Sequence, residues 1–214
     1  MAAPRSQAQP LRFITFEGGE GGGKSTQLRR LAERLGKTGY DVVVTREPGG
    51  APGAEEIRRL LVEGEPGRWA PEAEALLHFA ARAQHLDKVI RPALAQGRWV
   101  LCDRFADSTL AYQGYGQGVD LAWLNQLRHR VVGDTEPGLT LVLDLPVATG
   151  LGRAQAQQRY ERMGSAFHAR LRDGFLALAR SEPDRCTVID ASRPIDAVAD
   201  DVRAAVSQRF GVEI

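Results

Sequence analysis

The run Gly18-Gly19-Glu20-Gly21-Gly22-Gly23-Lys24-Ser25 fits the pattern G-x-x-x-x-G-K-[ST]. Glycines allow positive φ and close approach of the backbone to an anion. Successive N–H groups can then cradle phosphates, and the start of a following helix adds partial positive charge. Lys24 would reach the β- and γ-phosphates as a point charge on a flexible stem. Ser25, followed by Thr26, would offer a hydroxyl to Mg²⁺. Only three of the 28 basic residues are lysines, Lys24, Lys37 and Lys88, so retention of lysine here agrees with a role arginine would not fill. A ligand-free glycine-rich turn would have to explain the spacing, the Lys-Ser pair and the flanking elements together. The run points to a nucleoside triphosphate and says little about the acceptor.

Two further groups could do chemistry. Trp99-Val100-Leu101-Cys102 is apolar and ends in Asp103 and Arg104. A carboxylate at the end of the strand next to a phosphate loop can hold Mg²⁺, often through water, and the adjacent cation suits a phosphate. The alternative is a strand-end ion pair worth under about 1 kcal/mol. In Thr45-Arg46-Glu47-Pro48-Gly49-Gly50, Arg46 could fork onto a phosphate, and Pro48-Gly49-Gly50 could turn the backbone towards a ligand. An ordinary loop is the alternative there.

The elements that must position these residues follow a repeated pattern. Strands are expected at Leu11–Phe16, Val42–Thr45, Trp99–Cys102, Leu139–Leu143 and Cys186–Ile189. Helical patterns lie at Ser25–Leu35, Glu55–Val62, Glu72–Leu94 with a break near Pro92, Ser108–Tyr112, Leu121–Val132, Val147–Gln157, Phe167–Ala179 and Ile195–Phe210. Near-continuous apolar strands separated by helices predict an α/β fold, a doubly wound five-stranded parallel sheet covered on both faces. Ligands of such sheets bind beyond the carboxyl ends of the strands, which is where the three polar segments fall. Residues 1–10 read as a disordered tail and 11–214 as a single domain, with the polar stretch at about 153–163 as a lid.

The net charge of +1 gives no basic field for nucleic acid or an anionic membrane. No apolar run approaches the ~20 residues of a membrane helix, and Met1–Pro10 lacks the apolar stretch of a secretory signal. Two cysteines, Cys102 and Cys186, lie in apolar strands and suit a reducing cytoplasm. His85, His129 and His168 show no metal-like spacing, and Trp69, Trp99 and Trp123 read as packing residues.

T-R-E-P-G-G after the second strand, D-R-F-x-D-S-T-x-A-Y-Q-G after the third, and E-G-G-E-G-G-G-K-S-T together resemble the bacterial thymidylate kinases, from about Phe13 to the end of the chain. The resemblance implies a P-loop nucleoside-monophosphate-kinase fold. It also implies transfer of the γ-phosphoryl group of MgATP to dTMP, giving dTDP on the route to dTTP. Arg46 and Arg104 would hold the acceptor phosphate, with Pro48 in the acceptor loop and Glu20 near the sugar 3′-hydroxyl. Arg82 would bond the thymine edge. Ser108, Thr109, Tyr112 and Gln113 would line the base and sugar pocket, Tyr112 crowding out a ribose 2′-hydroxyl. Asp190-Ala191-Ser192 would border the adenine. A phosphate monoester has a second pKa near 6, so the acceptor needs no strong base and catalysis rests on positioning and charge by Lys24, Asp103, Arg104 and a lid arginine. A homodimer packed through helices is implied too, for which Leu76–Leu94 offers a face.

Three departures stand out. The usual base-stacking aromatic four residues before Arg82 is His78, with Phe79 next, and either could stack. The lid motif D-R-x-E reads Gln158-Arg159-Tyr160-Glu161, leaving Arg153, Arg159 and Arg162 as lid candidates, Arg153 matching best. Ala51 and Pro52 follow the Gly pair where Thr is usual. A P-loop kinase of an alcohol would demand a base carboxylate and no second arginine pair. A switch or partition ATPase would carry N-K-x-D or an extra lysine at the start of the loop, where Gly18 and Gly19 stand.

Overall fold

The computed structural model describes residues 10–153, 160 and 162–214. Five strands, β1 (Phe13–Glu17), β2 (Val42–Arg46), β3 (Trp99–Asp103), β4 (Leu139–Asp144) and β5 (Cys186–Asp190), form one parallel sheet in the order β2-β3-β1-β4-β5. Alternation along the strands divides the core between two faces. Ile14, Phe16, Trp99, Leu101, Leu139 and Leu141 pack against α1 (Lys24–Lys37) and α9 (Ile195–Phe210). Phe13, Val100 and Cys102 pack on the other face with Leu86, Ile90 and Phe105.

The register aligns the strand ends. Phe16 pairs with Asp103 across β1 and β3, and Arg46 pairs with Asp103 across β2 and β3. The loops that follow these three strands therefore start side by side.

Between β2 and β4 the chain forms α2 (Pro52–Val62), α3 (Pro71–His85), α4 (Arg91–Ala95), α5 (Ala106–Thr109) and α6 (Leu121–Val132), and between β4 and β5 it forms α7 (Val147–Arg153) and α8 (Ser165–Ser181). The expected break near Pro92 starts earlier, as a π-helical segment at Leu86–Ile90. Pro92 lacks an N–H and its ring crowds the carbonyl four residues back, so the turns before it widen. The helix expected at Ser108–Tyr112 is instead α5 running into a second π segment, Leu110–Gly116. The expected helix Val147–Gln157 is present to Arg153, and its remainder lies outside the described residues. The expected tail lies outside them too, except Pro10. Among the described residues no helix is long and apolar enough to cross a membrane.

Candidate active site

The glycine-rich loop links β1 to α1 and is shaped by contacts only glycine permits. Gly18 has φ +125°, and a Cβ there would strike the carbonyl of Leu143 at the end of β4. Gly21 has φ +67° and lies against the backbone of Gly150 in α7. Lys24 folds back into the loop, its Nζ donating to the carbonyls of Gly18 (3.2 Å) and Gly19 (2.6 Å). Burial pushes the Lys24 ammonium down to about 8, helped by Arg104 and opposed by Glu20, Asp103 and Glu17. Ser25 Oγ donates to Asp103 Oδ2 at 2.5 Å, joining the end of β3 to the start of α1.

A cavity of about 370 Å³ opens over these residues and is lined by Gly21, Lys24, Ser25, Arg46, Asp103 and Arg104 among others. Arg104 has φ +69°, a left-handed conformation rare outside glycine and typical of functional positions. Its Nη1 donates to the Gly18 carbonyl (2.9 Å) and to Ser108 Oγ (3.3 Å), its Nη2 donates to Glu20 Oε1 (3.0 Å), and the guanidinium sits 5.0 Å from the Tyr112 ring centre. Tyr112 donates to the same Glu20 oxygen at 2.5 Å. Burial works against ionisation of Glu20, but Arg104, Lys24 and Tyr112 outweigh it and hold the carboxyl at about 2. Arg46 reaches the cavity from the end of β2, its Nη2 donating to both oxygens of Glu55 at 3.0 and 3.1 Å.

The far wall is built on α3, where His78 and Arg82 stand one turn apart on one face. Arg82 is 1 % exposed. Its Nε donates to Glu47 Oε2 (2.8 Å), its Nη2 donates to the Phe105 carbonyl (2.9 Å) and Thr109 Oγ1 (3.2 Å), and Nη1 has no hydrogen-bond partner among the described residues. Phe79 and Phe105 flank the guanidinium at 4.8 and 5.2 Å. Glu47 also accepts from His85 Nδ1 at 3.0 Å, so one buried carboxylate holds both groups. Gln113 donates its Nε2 to the fully buried Glu74 (2.7 Å), while its Oε1 has no hydrogen-bond partner among the described residues.

The structure separates the sequence candidates. Glu20, Gly21, Gly22, Gly23, Lys24, Ser25, Thr26, Arg46, Pro48, His78, Arg82, Asp103, Arg104, Ser108, Tyr112 and Gln113 all line the cavity. Phe79 does not: it is buried with Ala75, Leu110, Val119 and Leu124, and His78 takes the place at the wall. Thr109 supports Arg82 from behind, and Gly18 and Gly19 contribute carbonyls to Lys24. Arg153 is exposed at the end of α7, whereas Arg162 donates to Glu65 and to the Gly64 carbonyl. Gln158, Arg159 and Glu161 lie outside the described residues. Asp190 accepts from the N–H and Oγ of Ser192 beyond β5.

Sequence reasoning missed four side chains here. Arg58 of α2 lines the cavity and donates to the Pro48 carbonyl at 2.7 Å. Tyr160 also lines it, its hydroxyl 3.0 Å from His78 Nε2 and its ring edge-on to Tyr112 at 5.2 Å. Glu47 and Glu74 carry the inner hydrogen bonds. Glu74 stands one turn before His78 on the face that also carries Arg82, and that helical spacing was the available signal for it.

The residues present fit a hard cation. Ser25 and Asp103 bring a hydroxyl and a carboxylate together at the cavity wall. Among the described residues no group of three or more His, Cys, Asp or Glu side chains is gathered for a metal. One carboxylate with a hydroxyl suits Mg²⁺, which takes its other ligands from water and phosphates.

Comparison with known proteins identifies relatives over nearly the whole chain. The family profile described as thymidylate kinase matches residues 16–202. The thymidylate kinase of Caulobacter vibrioides is 58 % identical over 203 residues, covering 94 % of this chain and 98 % of that protein. The one from Dinoroseobacter shibae is 56 % identical over 200 residues, covering 92 % and 96 %. The crystal structure of the Ehrlichia chaffeensis thymidylate kinase is similar with a TM-score of 0.75 at 38 % identity, over 91 % of this chain and 97 % of that one.

Proposed function

The chain belongs to the thymidylate kinase family, and from that premise we propose how its residues convert dTMP to dTDP with ATP as donor. The reaction is the phosphorylation of dTMP on the route to dTTP, carried out by a nucleotide-binding transferase. The observation that carries the mechanism is the meeting of Lys24, Arg46 and Arg104 from three loops around one cavity, beside the Ser25–Asp103 pair.

The two substrates are polyanions that must meet end to end. The N–H groups of Gly21 to Ser25 would cradle the ATP phosphates, with Lys24 at the β- and γ-oxygens. Ser25 and Asp103 would hold Mg²⁺, which when bound neutralises charge on the β- and γ-phosphates. Arg104 and Arg46 would clamp the dTMP phosphate. Arg46 would leave Glu55 to do so, and that exposed ion pair costs little to exchange, since such pairs contribute about 0–1 kcal/mol. Arg153, exposed at the end of α7, would cover the transferring group.

The base would lie against His78, with the third guanidinium nitrogen of Arg82, Nη1, as the donor left for a thymine carbonyl. Phe105 and Phe79 hold that guanidinium flat, and Tyr112 fills the space beside the sugar. Glu20 is kept ionised by Arg104 and would accept from the 3′-hydroxyl. No general base is required, because the acceptor phosphate is already a dianion above a pKa of about 6.

The protein would work as a homodimer packed through α3, whose Leu76 is half-exposed. Two free, buried thiols at Cys102 and Cys186 suit the cytoplasm. The test is ADP release measured over a panel of nucleoside monophosphates, with Lys24→Ala and Arg104→Ala as controls. Turnover should be greatest with dTMP. Arg104→Ala should lower kcat/KM for dTMP by about 10²-fold or more, in line with loss of a charge-assisted phosphate contact. Formation of no nucleoside diphosphate would refute the reading.

A further inference from the structure

Glu17 is the last residue of β1, fully buried, and does not line the cavity. Both of its carboxylate oxygens are engaged, and both on one short stretch of chain. Oε1 accepts the Phe105 N–H at 2.7 Å and Oε2 accepts from Ser108 Oγ at 2.5 Å. Directly before that stretch stands Arg104 with its left-handed backbone, whose own N–H donates to the Phe16 carbonyl at 3.0 Å. The end of β1 thus grips the strained residue, the one after it, and the hydroxyl one turn on. Ser108 Oγ accepts in turn from Arg104 Nη1 at 3.3 Å, so the grip extends to the guanidinium itself.

A buried carboxylate at this position is otherwise a liability. Burial first, and then the like charge of Asp107, push its proton affinity up to about 7, while the Ser108 hydroxyl, Arg104 and the Phe105 N–H pull the other way. Phe13, Ile14 and Phe16 of the same strand show that an apolar side chain is readily accommodated in this core. Left-handed residues persist only where their surroundings over-determine them, and three of the contacts around Arg104 come from Phe16 and Glu17.

We propose that Glu17 is a positioning residue for phosphoryl transfer, locking the Arg104–Ser108 turn so that the Arg104 guanidinium waits where the acceptor phosphate arrives. This rests on the reading of Arg104 as a holder of that phosphate. Glu17 touches neither substrate and acts only through Arg104 and Ser108.

Three variants, E17A, E17Q and R104A, separate the possibilities, with KM and kcat for dTMP measured beside the Kd of ATPγS by calorimetry. In E17A the KM for dTMP should rise at least about tenfold, with ATPγS affinity within about twofold of the unaltered protein, as loss of hydrogen bonds to a charged group predicts. E17Q can still accept from the Phe105 N–H and can donate to Ser108, so it should restore most of the KM. An unchanged KM in E17A, or a parallel loss of ATPγS affinity, overturns the inference. If R104A leaves the KM for dTMP unchanged, the reading of Arg104 itself fails. If R104A raises it and E17A does not, only the role of Glu17 fails. Should E17A not fold, E17M, which fills the site but cannot accept from the Phe105 N–H or Ser108, replaces it and is paired with S108A in a double-mutant cycle. Their effects on the KM for dTMP must then be non-additive, and additive effects overturn the inference.

Discussion

Lys24 opens α1 with its ammonium pushed down to about 8 by burial, and the proposed contact with the ATP phosphates needs its charged form. The charged form prevails below that value, so kcat/KM for ATP should fall as pH rises through about 8, and Lys24→Ala should lose this limb along with most of its activity. A pH profile taken with saturating dTMP reads this directly. Glu20 and Glu17 have opposite signs. Glu20 is depressed from 4.5 to about 2, so its contribution, of order 3 kcal/mol, is complete above pH 4.5 and is lost as pH falls towards 2. Glu17 is raised to about 7, so the folded protein holds its proton longer than the unfolded chain does, and stability falls as pH climbs from 4.5 through 7. Urea unfolding should therefore find E17Q more stable than the unaltered protein at pH 8, with the difference shrinking at pH 5. E20Q should be the less stable one at pH 7. That the glycine-rich run, Asp103 and the two arginines converge on one cavity was legible in the sequence, because they follow apolar strands whose ends align in a parallel sheet. Glu17 was not, because its role lies in what it accepts across the sheet from residues some 90 positions away.

Among the elements, α3 supplies His78 and Arg82 to one wall of the cavity. His78 and Arg82 share a face by helical spacing, and the helix is anchored through Glu47 and Glu74. Removing the ring in His78→Ala should raise the KM for dTMP several-fold, about 1 kcal/mol for a lost aromatic contact, with kcat less affected. Tyr160→Phe, which removes only the hydroxyl facing His78, should act in the same direction and more weakly. Steady-state kinetics over a dTMP series checks both, and an unchanged KM in His78→Ala would remove the imidazole from the base site. Strands were readable at this scale because buried parallel strands are short apolar runs, and the five expected ones match within one or two residues. The two π segments were not. Leu86–Ile90 and Leu110–Gly116 keep a helical pattern of residues while changing which carbonyl each N–H meets, and periodicity cannot register that. The choice between His78 and Phe79 was open for a related reason: one residue's step on a helix is a 100° turn, and only packing against Ala75, Leu110 and Leu124 turns Phe79 inward.

Taken as a whole, the molecule brings strand ends from across the chain to one crevice, and the sheet order puts the glycine-rich loop between Asp103 at the end of β3 and the backbone of β4. That arrangement followed from alternating strands and helices, whereas the homodimer does not follow from an apolar helix face that a core would use equally well. Sedimentation velocity should show twice the chain mass, and Leu76→Glu should shift the distribution towards the monomer; a monomeric unaltered protein would refute the proposed packing through α3. The lysine scarcity has a practical consequence. An amine that loses its proton near pH 8 is a far better nucleophile than an exposed one that keeps it, and only Lys37 and Lys88 compete with Lys24 for a side-chain acylating reagent. An ATP-mimetic carrying a mild electrophile should therefore mark this chain at a single amine, and peptide mapping of the adduct would report occupancy of the donor site without any engineered label.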